Sequence, residues 1–312
     1  GCRLTGPRLA RAVVMDTYKA VPLLGTAEVA TQRPHYLAEG PIWDPIRSVV
    51  LWVDIMDGAV YTGRLTDQGR IDAQDRIEFP DTAGAVAIAA TGDLLVAGTH
   101  RLYYRSPGGD IEAGRQLIDG HLRRFNDGKP DPSGRMVLGT KGPTSSERLF
   151  RIDAGETATV LDEDLTLANG LAWSSSGRRL YTIDTLTNRI FVRDYDPETG
   201  SAGTRTLLTV LNEGHPDGMT TDAQDHLWVA VWGAGCVLRL SPEGEIIGRV
   251  DVPAPHTSCP VFAGPDLDTL VITTATEDLD TSQQQRFPLS GRLFTFKPGV
   301  TGNPPHLWSG TR

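Results

Sequence analysis

The sequence has few of the residues that mark disulfide-stabilised, zinc-binding or membrane-spanning proteins. Only 3 of the 312 residues are cysteine, and no two of them form a CxxC pair. This excludes a disulfide framework and gives no sign of a cysteine-ligated zinc site. No stretch approaches the roughly 18 consecutive apolar residues of a membrane span. We therefore expect a soluble protein whose cysteines are free thiols, as is usual in a reducing compartment.

Clusters of basic residues are also missing. The chain has 39 Asp and Glu against 30 Lys and Arg, a net charge of -9, and its basic residues are dispersed. Nucleic acids and anionic membranes bind concentrated positive potential, so neither is an expected partner. Residues 1–24 carry several Arg but lack the apolar core of about 7–15 residues found in secretory signals. We interpret them as an N-terminal extension and expect a cytoplasmic monomer or weak homo-oligomer.

Two common hydrolase motifs are absent from the sequence. No G-x-S-x-G elbow occurs, so a serine mechanism of the α/β-hydrolase type lacks its strand-turn-helix context. The 7 histidines lack the H-E-x-x-H spacing of a helical zinc site. Any hydrolytic chemistry must therefore come from another arrangement of residues.

What the sequence does contain is glycine, proline and a repeat. The 34 Gly and 21 Pro are scattered, as in chains built from many short strands and tight turns. One pattern of polar residue, apolar strand, turn and two further strands recurs six times, beginning at Glu39, Gly84, Asn126, Asn169, Asp217 and Ser258. These starts are 41 to 48 residues apart, which is the period of a β-propeller blade. We predict an all-β, six-bladed propeller over residues 25–312, as a single domain.

A propeller must also close its ring, because an unpaired edge strand invites aggregation. The segment GTAEVAT, residues 25–31, precedes the first blade and is the natural outer strand for the last one. We therefore expect these residues to pair with the sixth blade. A β-sandwich is the competing all-β fold, but it would not need such regular spacing.

The heads of the repeats form a polar ring at the mouth of the predicted channel. Glu39, Asn169 and Asp217 are its informative members, since two carboxylates and an amide oxygen converging on one axis need a cation between them. Oxygen donors suit calcium, magnesium or manganese, and zinc also accepts carboxylates. Singly, each residue could simply cap a turn. Their recurrence at one register favours a site for one divalent metal ion in the central channel.

Several segments resemble one known family. AEGPIW, RFNDGKPDPSGRMVLGT, ANGLAW and HPDGM occur in the order typical of the senescence-marker-protein/gluconolactonase/luciferin-regenerating-enzyme family. The resemblance implies a propeller that holds one divalent metal and hydrolyses sugar lactones. It also implies metal ligation by Glu39, Asn169 and Asp217, and substrate contacts by Arg124 and Asn126.

This chemistry suggests a mechanism. The expected substrate is a small aldonolactone, such as glucono-, galactono-, arabino- or xylonolactone, which is hydrolysed to the aldonic acid. The metal would polarise the carbonyl and lower the pKa of its bound water, and Asp217 would act as ligand and general base. Arg124 and Asn126 offer donors and an acceptor for sugar hydroxyls. Alternatively, Arg124 pairs with a carboxylate and Asn126 only begins a turn.

One departure from the family concerns the substrate. After Gly139 and Thr140, mammalian members have a longer acidic loop with a Glu that reaches the sugar, whereas this chain continues with KGPTSSERLFRID. Whether Lys141 or Glu147 replaces that residue stays open.

The remaining polar and aromatic residues of the same stretch have structural interpretations. We expect Asp127 and Asp131 to shape the following turn, and Phe125 to pack between blades. Two other functions remain possible: a lactonase or phosphotriesterase of broader specificity, or a calcium-binding protein without activity.

Overall fold

Short apolar strands and tight turns alternate through residues 18–312, the part of the chain that this computed structural model describes. The segment before the first blade supplies β1 (Leu23–Thr26) and β2 (Glu28–Val29). The first three blades consist of β3 (Ala38–Asp44), β4 (Val49–Asp54), β5 (Ala59–Leu65), β6 (Ile71–Glu78), β7 (Ala85–Ile88), β8 (Leu94–Ala97), β9 (Arg101–Arg105), β10 (Ile111–Gln116), β11 (Arg124–Pro130), β12 (Met136–Lys141), β13 (Glu147–Asp153) and β14 (Thr157–Leu165).

The last three blades follow the same plan. They consist of β15 (Ala168–Trp173), β16 (Arg179–Asp184), β17 (Arg189–Asp194), β18 (Thr206–Val210), β19 (His215–Thr221), β20 (Leu227–Trp232), β21 (Cys236–Leu240), β22 (Ile246–Asp251), β23 (Thr257–Ala263), β24 (Thr269–Thr274) and β25 (Phe294–Phe296). The first strand of each blade is its innermost strand, and consecutive strands within a blade pair antiparallel. The predicted all-β, six-bladed propeller is therefore confirmed.

The N-terminal segment closes the ring, although not wholly as predicted. β2 pairs with β25 and completes the sixth blade, as expected for the segment 25–31. β1, by contrast, runs parallel to β22 and forms a fifth strand on the fifth blade. The chain changes sheets at Ala27, which is buried and whose N–H donates to the Asp251 carbonyl. The segment thus covers two edges rather than one.

The predicted N-terminal extension, residues 1–24, lies largely outside the described residues, as does Cys2. From Tyr18 onward the chain packs on the fifth blade, where the Tyr18 hydroxyl donates to the Glu213 carbonyl at 2.6 Å. Cys236 and Cys259 are buried free thiols. In the described part of the chain, no helix is long and apolar enough to cross a membrane.

The innermost strands approach one another closely. A Cβ added at Gly218 would lie 2.3 Å from the Cys259 Sγ, and one at Gly170 would lie 2.5 Å from the Asp217 carbonyl oxygen. Glycine is required at both positions because no side chain fits between the strands. Phe125, which is fully buried, packs between the second and third blades as predicted.

Aspartates at the far ends of the innermost strands organise the turns. In the third blade, Asp131 Oδ1 accepts hydrogen bonds from the backbone N–H groups of Ser133 and Arg135, both at 2.9 Å. Its Oδ2 accepts from the Arg135 guanidinium and the Tyr195 hydroxyl. Asp131 therefore shapes the turn, as predicted. Equivalent aspartates are Asp44 in the first blade and Asp222 in the fifth.

Candidate active site

Local irregularities in the innermost strands place the ring residues. The innermost strands β3, β11, β15 and β19 each contain one residue more than the facing stretch of the second strand, so the pairing register shifts by one residue. These β-bulges lie at or beside Glu39, Asn126, Asn169 and Asp217. A bulge re-aims the side chains that it contains. The ring residues thus lie within the strands, in the bulges, rather than just before the strands.

The six predicted ring positions do not all contribute. Glu39, Asn126, Asn169 and Asp217 line one cavity of about 30 Å³ at the channel mouth. Gly84 has no side chain to offer, and β7 pairs regularly with β8. The Ser258 hydroxyl is fully buried and bonded to the Ala38 carbonyl and to Thr273. The cavity therefore takes its ring residues from four blades.

The two carboxyl groups of the ring oppose each other. Glu39 and Asp217 lie close enough to share a hydrogen bond, and both are buried. Burial raises the pKa of Glu39 to about 8, and the charge of Asp127 acts in the same direction. Burial, followed by the charges of Glu39 and Asp127, raises the pKa of Asp217 well above its usual range. The ionised pair is therefore unstable unless a positive charge joins it.

Unpartnered oxygen atoms show where such a charge would bind. Asn169 Oδ1 and Asp217 Oδ1 are buried and accept no hydrogen bond. The orientation of the Asn169 amide is fixed, because its Nδ2 donates to Thr185 Oγ1, which in turn donates to the Pro216 carbonyl. Its oxygen is thus left free. Buried acceptors without partners are rare, and a bound cation is one of the explanations they require.

The donor set fits a divalent cation that prefers oxygen. It comprises two carboxylates and an amide oxygen, the ligand types of calcium, magnesium and manganese sites. Within residues 18–312, no three His, Cys, Asp or Glu side chains are grouped as a metal site. A site here therefore depends on the amide of Asn169 as well as on Glu39 and Asp217.

The predicted substrate residues lie above the same cavity. Arg124 lines it, and its Nη1 donates to the Phe125 carbonyl at 2.9 Å and to Asn126 Oδ1 at 2.8 Å. Asn126 Nδ2 donates to the Ala168 carbonyl at 3.0 Å. The amide of Asn126 is therefore engaged on both sides, whereas Arg124 keeps Nε and Nη2 available. Burial lowers the pKa of Arg124.

Asp127 is not a turn residue, and this expectation was wrong. It lies in the bulge of β11, is 3% exposed, and leaves Oδ2 without a hydrogen-bond partner. Burial raises its pKa, and its charge in turn raises the pKa values of Glu39 and Asp217. The alternation of side chains along a regular strand would have separated Asn126 from Asp127, but a bulge breaks that alternation.

The sequence left Lys141 and Glu147 as alternatives near the substrate. Lys141 lines the cavity. Glu147 is fully buried, accepts from Thr140 Oγ1 at 2.7 Å and pairs with Arg123 at 3.1 Å. Because neighbouring residues of a strand point to opposite faces, Thr140 and its partner Glu147 lie away from the face that Lys141 occupies. The structure thus brings Lys141, and not Glu147, to the cavity.

Among the cavity residues that were not identified from the sequence are an acidic and an aromatic one. Glu277 follows β24, and Trp232 ends β20, where it stacks on His256 with ring centroids 4.2 Å apart. Second strands end at the edge where innermost strands begin, since the two are antiparallel. The residues at the end of the second strand of each repeat could therefore have been chosen from the sequence as candidates for the channel mouth.

Comparisons with known proteins show the family to which the chain is related. The SMP-30/Gluconolactonase/LRE-like region matches residues 37–276. Pentonolactonase XacC of Haloferax volcanii is 34% identical over 275 residues, which cover 86% of this chain and 93% of that protein. The 6-deoxy-6-sulfogluconolactonase of Pseudomonas putida is 31% identical over 299 residues, 91% of this chain and 99% of that protein.

A solved structure gives the same assignment. The calcium-binding protein regucalcin from Agrobacterium tumefaciens superposes with a TM-score of 0.85 at 29% identity, over 92% of this chain and 99% of that one. The family indicated by the sequence motifs is thereby confirmed. The chain belongs to the SMP-30/gluconolactonase/LRE-like family.

Proposed function

We propose that this protein is a divalent-metal-dependent lactonase that hydrolyses a small sugar lactone to its aldonic acid. The observation that carries the proposal is the convergence of unpartnered buried oxygens from Asn169 and Asp217 beside Glu39. The lactonase names of two relatives, each about one third identical over most of the chain, support it. Glucono-, galactono-, arabino- and xylonolactone are the substrates to try first.

Glu39, Asn169 and Asp217 are the residues that would hold the metal. When bound there, a divalent cation would polarise a lactone carbonyl, stabilise the oxyanion and lower the pKa of water. Calcium, magnesium, manganese and zinc all accept these ligands. The calcium-binding character of the Agrobacterium regucalcin supports calcium as a candidate.

Asp217 is the proposed general base. As water attacks the carbonyl carbon, Asp217 takes a proton from it, and the same carboxyl group then returns the proton to the ring oxygen that leaves. Burial and the charge of Glu39 raise the pKa of Asp217.

Arg124 and Asn126 are the proposed substrate contacts. The space beside the carboxylates, about 30 Å³, suffices for an ion or a water but not for a sugar ring. The polyol part of the lactone therefore extends outward past Arg124, whose unused N–H groups can donate to it. Asn126 holds Arg124 in place through its amide oxygen at 2.8 Å.

A panel of sugar lactones tests the proposal. Acid release is followed with a pH indicator before and after chelation, with spontaneous hydrolysis subtracted. We expect hydrolysis of at least one aldonolactone that stops on chelation and resumes when a divalent metal is added. Absence of metal-dependent acid release from every lactone would contradict the proposal.

A further inference from the structure

Two cationic side chains lie next to each other at the cavity. Arg124 begins β11 and Lys141 ends β12, and the two residues are directly paired across the strands. Both line the cavity. Arg124 precedes Asn126 by two residues, so this pair lies about 6–7 Å along the strand from the ring of metal-site residues. Like charges directly opposite each other destabilise a sheet, so the arrangement needs a compensating group.

No side chain of the described residues supplies that group by contact. Lys141 makes no hydrogen bond or ion pair with any of residues 18–312. Within residues 18–312, Arg124 donates only to the Phe125 carbonyl and the Asn126 amide oxygen, both neutral acceptors. Neighbouring Arg123 shows the ordinary alternative, since it pairs with the buried carboxylate of Glu147 at 3.1 Å.

The carboxylates at this end of the cavity act on the two cations without contacting them. In the proposed function, Glu39 and Asp217 face the divalent cation. Glu277 is then the remaining carboxylate of the lining, and its charge acts on both Arg124 and Lys141 without forming an ion pair with either. Asp278 acts on Lys141 from outside the cavity lining. Arg124 and Lys141 therefore have two carboxylates nearby, Glu277 and Asp278, but an ion pair with neither.

We propose that the natural lactone carries an anionic group on the carbon farthest from its carbonyl, and that Lys141 binds this group together with Arg124. This inference rests on the proposed lactonase function and adds the substrate class. A phosphate, sulfonate or carboxylate supplies the acceptors that a guanidinium fork and an ammonium group bind best. Lys141 is accordingly a specificity-determining residue for the end of the substrate remote from the reacting bond.

The experiment compares lactones that differ only at that end. Glucono-1,5-lactone is the neutral substrate, and 6-phosphoglucono-1,5-lactone and 6-deoxy-6-sulfoglucono-1,5-lactone are the anionic ones. The wild-type protein should show a kcat/KM at least about tenfold higher for an anionic lactone, because hydrogen bonds to a charged group are stronger than those to a neutral one. The phosphate and sulfonate arms distinguish a doubly from a singly charged group.

Three variants assign the preference to Lys141. Lys141→Met should lower the anionic-to-neutral ratio of kcat/KM about tenfold, mainly through KM, whereas Lys141→Arg should keep most of it. Lys297→Met is the matched control, because it removes the same charge from an exposed lysine paired with Asp268. Its ratio should stay within about twofold of wild type, since exposed ion pairs contribute little.

The outcomes separate the two proposals. Hydrolysis of glucono-1,5-lactone without preference for either anionic lactone would overturn the substrate class and leave the lactonase function intact. An unchanged ratio in Lys141→Met would overturn the role of Lys141. Failure to hydrolyse any of the lactones would overturn the lactonase function, and this inference with it.

Discussion

Buried aspartates lie near both ends of β19, and they differ in their hydrogen-bond partners. Asp222, at the far end, is fully buried, and its two oxygens accept from the backbone of Gln224 and His226 and from the side chains of Trp228 and Arg239. Asp217, at the channel end, is 6% exposed, and its Oδ1 accepts no hydrogen bond. Both aspartates are buried, so burial alone does not distinguish a structural carboxylate from a candidate functional one, whereas their hydrogen-bond partners differ.

The difference follows from the physical chemistry of buried charge. A carboxylate can stay ionised inside a protein when hydrogen bonds and a cation replace its water, which is the situation of Asp222. Asp217 instead faces Glu39 and Asp127, whose charges repel its own. The ionised form of the Glu39–Asp217 pair is thus disfavoured unless a proton or a cation joins it, whereas Asp222 stabilises the turn of its blade.

The largest expected effect is the loss of activity in Asp217→Asn. Removing the general base should lower kcat/KM for a sugar lactone by at least about 10³-fold, within the range for acid-base groups. The midpoint of thermal unfolding should not fall, because the substitution removes a repulsive charge. Initial rates and thermal denaturation of the chelated protein measure the two effects. A variant with activity within tenfold of wild type would refute the assigned role.

The converse is expected for Asp222→Ala. The free energy of unfolding should drop by about 3 kcal/mol, since the change leaves Arg239 without its buried partner. The kcat/KM of the folded protein should change less than threefold. Denaturant titration provides the first value and lactone assays well below the transition provide the second.

Asp268→Ala is the control for the Asp222 substitution. Asp268 is 42% exposed and pairs with exposed Lys297, so its loss should change the free energy of unfolding by less than about 1 kcal/mol. Equal destabilisation by both substitutions would show that the turn contacts of Asp222 contribute no special stability.

A smaller effect concerns pH. The pKa of Glu39 rises from 4.5 to about 8 on burial. Because the folded value exceeds the unfolded one, this group contributes stability that is complete below about pH 4.5 and is lost as the pH rises through about 8. The unfolding midpoint of chelated wild type should therefore fall, relative to Glu39→Gln, between pH 5 and 8. Added divalent metal should remove this difference, and its persistence with metal would contradict the account.

The regularity of the repeat made the fold and part of the site predictable. A fixed period places equivalent residues at one height, so Glu39, Asn169 and Asp217 could be chosen from register alone, and the structure brings them together at one cavity. The repeat says nothing about how a strand deviates from ideal pairing. The bulge that contains Asp127, whose charge acts on Glu39 and Asp217, is such a deviation, and the sequence rules for a regular strand do not predict it.

Residues contributed by other strands were harder to predict. Lys141 comes from the end of the second strand of its blade, and Glu277 from the loop after such a strand. Their position at the cavity can be deduced only when two facts are known: that Arg124 pairs with Lys141, and how the strands of the sixth blade are ordered. The N-terminal segment likewise pairs with two blades, because the chain passes from one sheet to the next at Ala27. No sequence pattern at this position predicts that change.

The most direct test is to measure lactone hydrolysis against metal content. The protein is chelated, dialysed and titrated with calcium, magnesium, manganese or zinc, while bound metal per chain and the rate of acid release are measured on the same samples. We predict that activity falls to the spontaneous rate and returns in proportion to the metal bound, reaching its maximum at one ion per chain. Full turnover by protein with less than about a tenth of an ion per chain would contradict the account.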